Sequence, residues 1–427
     1  MEKLLKMAQK VSDQAEVFWD SINSTKIVFS DSKLHDIESK INSGVALRII
    51  KDNKLGFAYS RDINDRKTII DNAIKSLNGK IEAEYQMPKQ KKFDKINTYN
   101  PEIEEVDSSL MVDKGNDFCQ NIQKVVSGEI NIYMSKNVSR VKILNSNGLN
   151  VQSMSSEYGV MPQLVFSGGA SGIGRIYRDK KFSDISENIV DEIADFYKKG
   201  KNVCSIKSGP MKVLFMPGSM HLLNRRLVSA LNGINIYQKM SPLNERIGEK
   251  ILNEKLTIFE YPNNDDYPNA TSFDDEGVIT KKRNFIENGV LKQFAYDLNY
   301  ASKMKLETTA NGYRAGITST PSPSLPYLQF KPGKMRFREM IKKMDRGIIL
   351  EGVLGAHSGN IPNGDYSIGV SPALYVEKGK IKGRIKDAML AGNIYETLQD
   401  VVGVEDRAHL NYRNPAILCD NVVVSTK

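Results

Sequence analysis

Residues 45–59 read VALRIIKDNKLGFAY, and this stretch decides the class of the fold. Val45–Ile50 and Leu55–Tyr59 are mostly apolar, in the pattern of two strands. The polar turn Lys51–Lys54 joins them as a hairpin, in which the strands run antiparallel. The N-terminal part of the chain is therefore expected to contain an antiparallel sheet.

Helical patterns flank this hairpin. Apolar residues spaced three and four apart from Leu4 to Trp19 predict an amphipathic helix, and a second helix is expected at Asp65–Leu77. A further strand is predicted at Lys26–Phe29. The polar segment Pro88–Pro101 has no clear period and is interpreted as a connector.

The order of helix, strands and helix recurs after the connector. Helices are predicted at Ser108–Val126 and Asp184–Lys198, with short strands between them. This recurrence predicts an N-terminal α+β domain over residues 1–203, and an internal duplication would divide it into related units at 1–87 and 102–203.

A C-terminal β-rich domain is expected over residues 204–427. It begins with a strand at Lys212–Met216, a break at Pro217-Gly218 and a helix that contains His221–Leu231. Short strands and turns follow. The predicted fold class is therefore α+β, with helix and antiparallel-sheet units before the β-rich domain.

Composition excludes several classes of protein. The chain has 427 residues, of which 40% are hydrophobic and 26% are charged, so it is neither disordered nor a fibrous rod. Cys119, Cys204 and Cys419 are too few and too scattered for a disulfide scaffold and fit a reducing compartment. No apolar run is long enough to span a membrane. A cytoplasmic protein without a membrane partner is expected.

No catalytic motif stands out from the residues themselves. The four histidines, at 35, 221, 357 and 409, are too far apart to share a helix face, so the HExxH and HExxxH zinc motifs are absent. The glycine-rich stretch 167–174 lacks the spacing of a phosphate-binding loop and is interpreted as a hairpin or bulge.

The net charge of +9 is mild for this length. Its densest part is residues 331–346, with seven basic and two acidic residues. Met340, Ile341 and Met344 form an apolar stripe there, which favours an amphipathic helix with a solvated basic face over a nucleic-acid surface. Nucleic acid is therefore not expected as a partner.

The segment 355–367, GAHSGNIPNGDYS, combines glycines with polar side chains. Glycine lets a backbone approach a ligand or another chain closely, and polar side chains can donate or accept hydrogen bonds. A turn that satisfies its own backbone would have the same composition. The candidates for contact with a peptide or a partner are His357, Ser358, Asn360, Asp365 and Tyr366.

This segment and its surroundings resemble a known family. Residues 355–393, GAHSGNIPNGDYSIGVSPALYVEKGKIKGRIKDAMLAGN, are similar to the C-terminal signature of the TldD/PmbA proteins. A second match covers residues 272–312 and includes FDDEGV, ENGVLK and TANG. These proteins were first called modulators of DNA gyrase and are now regarded as a metallopeptidase system that performs proteolysis.

The resemblance distinguishes two branches of that family. The TldD branch carries HExxxH on the helix after a strand and a Pro-Gly turn. When this chain is aligned with that motif on the turn Pro217-Gly218, the His, Glu and His positions are occupied by Arg225, Arg226 and Ala230. Arginine and alanine do not ligate zinc. Cys419 lacks the glycine-rich surroundings of the further ligand cysteine, so the chain resembles the PmbA branch, also called TldE.

The resemblance implies a function without a metal or other cofactor in this chain. The chain would pair with a TldD-like subunit that holds the zinc, and the pair would enclose a chamber for unfolded or extended peptides. This subunit would supply chamber wall, peptide contacts and interface, with no catalytic residue of its own, so whether it acts as an enzyme alone stays open.

Two other functions remain as alternatives. The chain could be a homodimer that binds peptides or hydrolyses them at a divergent site, or a modulator associated with nucleic acid or DNA gyrase. The only support in the sequence for the second alternative is the basic segment 331–346 and the net charge.

Overall fold

The computed structural model describes residues 1–169, 171–409 and 411–426. The helices are α1 Glu2–Ala8, α2 Arg66–Ser76, α3 Pro101–Glu105, α4 Ser108–Val125, α5 Glu187–Lys199, α6 His221–Leu231, α7 Gly233–Tyr237, α8 Leu298–Lys303, α9 Phe337–Lys342 and α10 Ile394–Thr397. The strands of the N-terminal part are β1 Gln14–Ser30, β2 Lys33–Lys51, β3 Lys54–Ser60, β4 Glu129–Asn145, β5 Asn150–Val165, β6 Gly172–Gly174 and β7 Tyr177–Asp179.

The strands of the C-terminal part are mostly short, as the sequence predicts. They are β8 Gly209–Phe215, β9 Ile258–Glu260, β10 Arg283–Glu287, β11 Val290–Leu291, β12 Gly312–Tyr313, β13 Ser322–Pro323, β14 Leu328–Phe330, β15 Arg346–Leu350, β16 Val353–Leu354, β17 Asp365–Val370, β18 Ala373–Glu377, β19 Lys380–Ile385, β20 Ala388–Asn393, β21 Val401–Val404 and β22 Ile417–Thr426. The predicted α+β class is confirmed.

The predicted hairpin is present and lies at one edge of an antiparallel sheet. β2 pairs with β3 from Val45↔Ser60 to Lys51↔Lys54. Asp52 and Asn53 form the turn with φ of 49° and 57°. Asp and Asn tolerate this left-handed conformation, which a two-residue hairpin turn requires.

One sheet contains the strands of both predicted N-terminal units. Its order is β3-β2-β1-β4-β5-β6, and β7 also pairs with β5. β1 and β4 pair antiparallel at its centre, from Glu16↔Asn145 to Phe29↔Ile132. The strand order is thus mirrored about the β1–β4 pair, with α2 following one set of strands and α5 following the other.

The predicted helix over Leu4–Trp19 is wrong beyond Ala8, because β1 begins at Gln14. Val17 packs in the cluster with α1 and α2, whereas Phe18 packs in the cluster that contains Phe273 of the C-terminal part. A strand covered on both faces is apolar at consecutive positions, and it can therefore imitate a helical pattern.

The C-terminal part is built on a second sheet, with the order β16-β17-β20-β22-β8-β15-β18-β19 and β21 also paired with β22. β8 runs parallel to β15 and antiparallel to β22. Val213 and Phe215 share a hydrophobic cluster with Leu223 and Leu227 of α6. Leu214 belongs instead to the cluster of α4 and α5. The central strand β8 is thus buried on both faces and joins the cores of the two parts.

Smaller elements complete the C-terminal part. A sheet of order β11-β10-β9-β14 and the β12–β13 pair precede α9. Met340 and Met344 are fully buried, as the amphipathic interpretation of residues 331–346 predicts. None of the helices in the described ranges is long and apolar enough to cross a membrane.

Gly115 in α4 allows the helix to pack closely on β1. A Cβ atom at this position would lie 2.2 Å from Cε2 of Phe29, which is too close for any real contact. We predict that Gly115→Ala lowers the free energy of unfolding by about 1–3 kcal/mol through overpacking, despite the better helix propensity of alanine. Urea unfolding measures this change.

Gly79→Ala is the matched control, because no atom lies within 4 Å of a Cβ atom built there. It should leave the unfolding midpoint nearly unchanged. An equal effect of the two substitutions would contradict the packing argument.

Candidate functional site

The helix α6 presents two different faces. β8 leads through the turn Pro217–Ser219 into α6 at His221. The buried face carries Leu222, Leu223, Arg226, Leu227, Ala230 and Leu231. The opposite face carries His221, Asn224, Arg225 and Val228, which line an open groove. This division follows the three- and four-residue spacing of an amphipathic helix.

Arg226 is fully buried and is held by backbone oxygens alone. Its Nε donates to the carbonyl of Asp365 at 2.8 Å, and one Nη donates to the carbonyl of Ser358 at 2.7 Å. The other Nη donates to the carbonyls of Ala356 at 3.1 Å and Leu222 at 3.0 Å. The arginine therefore fastens the loop 355–367 to α6.

These residues do not fit a zinc ion. Arg225 and Arg226 carry guanidinium groups, which do not ligate zinc, Ala230 has no donor atom, and Arg225 is exposed. Burial raises the pKa of the Cys419 thiol, which opposes the thiolate form that binds metals. Within the described ranges, no three His, Cys, Asp or Glu side chains are grouped as metal ligands.

The groove beside α6 has a volume of about 490 Å³. Its opposite wall consists of Ile176 and Arg178, together with Asn411, Tyr412 and Asn414. Asn411 Oδ1 accepts a hydrogen bond from the Arg178 N–H at 2.8 Å, and the Tyr412 hydroxyl oxygen accepts one from the Ile176 N–H at 3.1 Å. The groove thus lies between the two parts of the chain and is lined by basic and amide side chains.

Arg175 directly precedes Ile176 of the groove and is held by two carboxylates. Its Nε donates to Glu192 of α5 at 2.7 Å, and its Nη1 donates to Glu351 after β15 at 2.7 Å. This buried arginine thereby ties the edge of the N-terminal sheet to the C-terminal sheet.

The structure brings four of the predicted contact residues together on the loop that Arg226 holds. His357 and Asn360 are exposed and Ser358 is half-buried. Asp365 is exposed and its Oδ1 accepts a hydrogen bond from Asn393 at 2.9 Å. Tyr366 differs, because it is buried and its hydroxyl hydrogen-bonds Thr397 at 2.7 Å. The Tyr366 side chain belongs to the core, as alternation along β17 requires, and it does not form part of the loop surface.

The second signature segment lies between the two parts of the chain. Asp274 accepts hydrogen bonds from the N–H groups of Val278 at 2.9 Å and Gly312 at 3.0 Å. Glu276 Oε1 pairs with Arg48 of β2 at 2.7 Å. A Cβ atom on Gly312 would lie 2.4 Å from Glu276 Oε2, so a larger residue there would displace the Glu276 side chain. The FDDEGV and TANG stretches therefore pack against each other and against the N-terminal sheet.

Arg48 also pairs with Glu16 of β1 at 2.7 Å, and Glu16 pairs with Arg314 at 2.8 Å. The sequence pattern did not identify this network, since its members are distant in the chain. The signal that could have pointed to it is a charged residue inside each of two apolar strands, Glu16 in AEVF and Arg48 in ALRII. Such residues are rarely buried unless they are paired.

Acidic groups outnumber basic groups in this network. Asp275, Glu276, Asp297 and Glu16 lie near Arg48 or Arg314, and Asp274 lies beside Glu276. Burial raises the pKa of Asp275 to about 6. Burial and then the charge of Glu276 raise the pKa of Asp297 to about 8. Burial therefore favours the protonated forms of these two carboxyl groups.

The sequence matches models of known protein families. Residues 208–426 match the model of the PmbA/TldA metallopeptidase C-terminal domain, and residues 15–78 match that of PmbA/TldA metallopeptidase domain 1. The chain belongs to the TldD/PmbA family. The family assignment made from residues 272–312 and 355–393 is thus confirmed.

Similar proteins span nearly the whole chain. An uncharacterized protein of Methanocaldococcus jannaschii is 27% identical and covers 95% of both chains. A metalloprotease of the same organism is 24% identical over 95% of this chain and 92% of its own. The crystal structure of TldE from Thermococcus kodakarensis has the same fold, with a TM-score of 0.89, 24% identity and coverage of 100% and 99% of the two chains.

The contacts of Arg226 generate a prediction about the loop 355–367. Arg226→Met should lower the free energy of unfolding by about 1–3 kcal/mol, because buried carbonyls lose their donors. It should also accelerate cleavage within residues 355–365 by an added protease. Arg225→Met is the control, since Arg225 is exposed and should change neither property. Equal protease sensitivity of the two variants would contradict the anchoring role.

The raised pKa of Asp297 predicts a dependence of stability on pH. Between its ordinary value of 3.8 and about 8, the folded state keeps a proton that the unfolded state has released, so stability falls as pH rises through this window. Asp297→Asn keeps an oxygen for the Tyr300 N–H but cannot ionise. The decrease in the free energy of unfolding between pH 5 and pH 8 should therefore be smaller in Asp297→Asn than in the unmodified chain. The expected difference is about 2–5 kcal/mol, since each unit of pKa shift corresponds to about 1.4 kcal/mol.

Denaturant unfolding at several pH values measures this slope. Asp71→Asn serves as the control, since Asp71 is exposed on α2 and should leave the slope as in the unmodified chain. Identical slopes for the unmodified chain and Asp297→Asn would refute the assignment.

Proposed function

We propose that this chain is the non-metal-binding subunit of a TldD/TldE-type zinc metallopeptidase that acts on unfolded or extended peptides. The observation that carries this proposal is Arg226, which occupies the position that registers with the glutamate of HExxxH and is bound to the loop 355–367. A side chain committed to three loop carbonyls supports a structural role at the place where the other branch carries its metal motif.

The proposed partner is a TldD-like subunit that holds the zinc. In this assignment the present chain contributes chamber wall, peptide contacts and interface, and no catalytic step is assigned to its residues. The exposed side chains of the loop, His357, Asn360 and Asp365, are proposed to face the chamber.

The groove beside α6 is the proposed surface for peptide. It is open to the surface, so a chain without tertiary structure can enter it. Arg225 and His221 on α6 face Arg178 across the groove and favour acidic side chains or a terminal carboxylate. Asn224 also lines the groove, and its side-chain amide can hydrogen-bond the backbone of a peptide.

Co-purification from the native host tests the proposal. A tagged chain should recover a second subunit that carries HExxxH, and zinc and casein hydrolysis should be found with the pair. The purified chain alone should bind no stoichiometric zinc and should leave casein intact. One zinc ion per chain together with proteolysis by the chain alone would refute the proposal.

A charge reversal tests the groove within the pair. Arg225→Glu should reduce hydrolysis of an acidic peptide by about tenfold, because an attractive charge at the groove becomes a repulsive one. Arg338→Glu on the exposed side of α9 is the control. Both variants should still recover the partner, and an equal loss of hydrolysis in both would contradict peptide binding at the groove.

A further inference from the structure

The outer part of β2 is a free edge of the N-terminal sheet. β3 pairs with β2 only from Val45 to Lys51. Residues 33–44 pair with β1 on one side and with no strand of the described residues on the other. Proteins usually cover, charge or shorten such an edge, because its backbone can pair with another strand.

Exposed apolar side chains accompany this free backbone. Ile37 is 45% exposed and Ile41 is 73% exposed. Both lie on the same face of β2, since side chains alternate along a strand. Glu38 and Lys40 lie on the opposite face and form an ion pair within the strand. The edge therefore has one apolar and one charged face.

The direction of the free backbone groups follows from the register. The carbonyl of Ile50 points towards the β1 side, where it accepts a hydrogen bond from the Asp13 N–H at 2.9 Å. β2 keeps an unbroken register with β1 from Ile50 to Asp36. Strand alternation then directs the N–H and C=O groups of Ile37, Ser39 and Ile41 away from β1. These groups are available to another strand.

We infer that this edge binds a second copy of the chain, with residues 34–44 of the two copies paired antiparallel about a two-fold axis at Ser39. In this register, the numbers of two residues that lie opposite each other in the two copies add up to 78. Ile37 then lies opposite Ile41 of the copy, and Glu38 lies opposite Lys40 of the copy. Each of these pairs occurs twice because the contact is symmetric.

Neighbouring registers are less favourable. An axis at Glu38 or at Lys40 would place two identical charges opposite each other. An axis at Ile37 would place Asp36 opposite Glu38 of the copy. Like charges directly opposite in a sheet are destabilising, whereas apolar and opposite-charge pairs stabilise it. The sequence of the edge is thus self-complementary about Ser39.

This inference does not rest on the proposed function. At the level of Ser39 the sheet continues through Thr25, Lys136 and Tyr158 to Asp179 of β7, beside the groove. The β2 edge and the groove therefore lie at opposite edges of the sheet, and pairing of two copies would leave both grooves open.

Charge exchange tests the register. The unmodified chain should have twice the monomer mass by light scattering at micromolar concentration. Glu38→Lys and Lys40→Glu should each raise the dissociation constant of the dimer by about tenfold or more, because each creates two like-charge pairs. An equal mixture of the two variants should restore association, since lysine of one chain then faces glutamate of the other.

The mixture also controls for folding, because only folded variants can associate again. The double variant Glu38→Lys/Lys40→Glu should likewise dimerise as the unmodified chain does. A monomeric unmodified chain would overturn the inference, and so would a dimer that neither single exchange weakens or that the mixture fails to restore.

Cysteine cross-linking tests the position of the axis. Ser39→Cys should form a disulfide between copies on oxidation, since directly opposite Cα atoms in an antiparallel pair lie within disulfide range. Ser43→Cys should not, because residue 43 lies opposite His35 of the copy. The unmodified chain controls for the half-buried Cys204. A cross-link through residue 43 and none through residue 39 would refute this register.

Discussion

The ion pairs of Arg48 join the two parts of the chain. Its guanidinium lies between Glu16 on the neighbouring strand and Glu276 of the FDDEGV segment, with 2.7 Å to each carboxylate. A buried arginine that lost either partner would leave a charge without compensation, which is strongly destabilising. The positions of β1, β2 and the C-terminal signature are therefore interdependent. Removal of water from this network also raises the pKa values of Asp275 and Asp297.

A second buried arginine performs a related task near the groove. Arg226 makes no ion pair and is satisfied by carbonyl oxygens of α6 and of the loop 355–367. The same helix thus supplies a buried anchor at Arg226 and an exposed basic group at Arg225 one residue earlier. One turn of helix therefore both holds the loop and lines the groove.

Much of this architecture could be predicted from the sequence, because the β2–β3 hairpin, α2, α4 and α6 are specified by local patterns. Those patterns repeat every two or every three to four residues, and nearby turn or capping residues delimit them. β1 could not be predicted over Gln14–Trp19, since α1 and α2 cover one of its faces and a cluster that includes Phe273 covers the other. Tyr366 was predicted to contact a peptide or a partner, but it is buried. Side chains alternate along β17, so Tyr366 points into the core while its neighbour Asp365 is exposed.

The pairing of Glu16 with Arg314 has a consequence for synthesis of the protein. The two residues are 298 positions apart. At about 5–20 residues per second, a ribosome needs roughly 15–60 s to cover that distance. During this interval the N-terminal sheet can form its hairpins, but the face that carries Glu16 and Arg48 stays uncovered by its final partners. The nascent chain therefore reaches its native charge balance only when about three quarters of it has been made, which places the joining of the two parts late in folding.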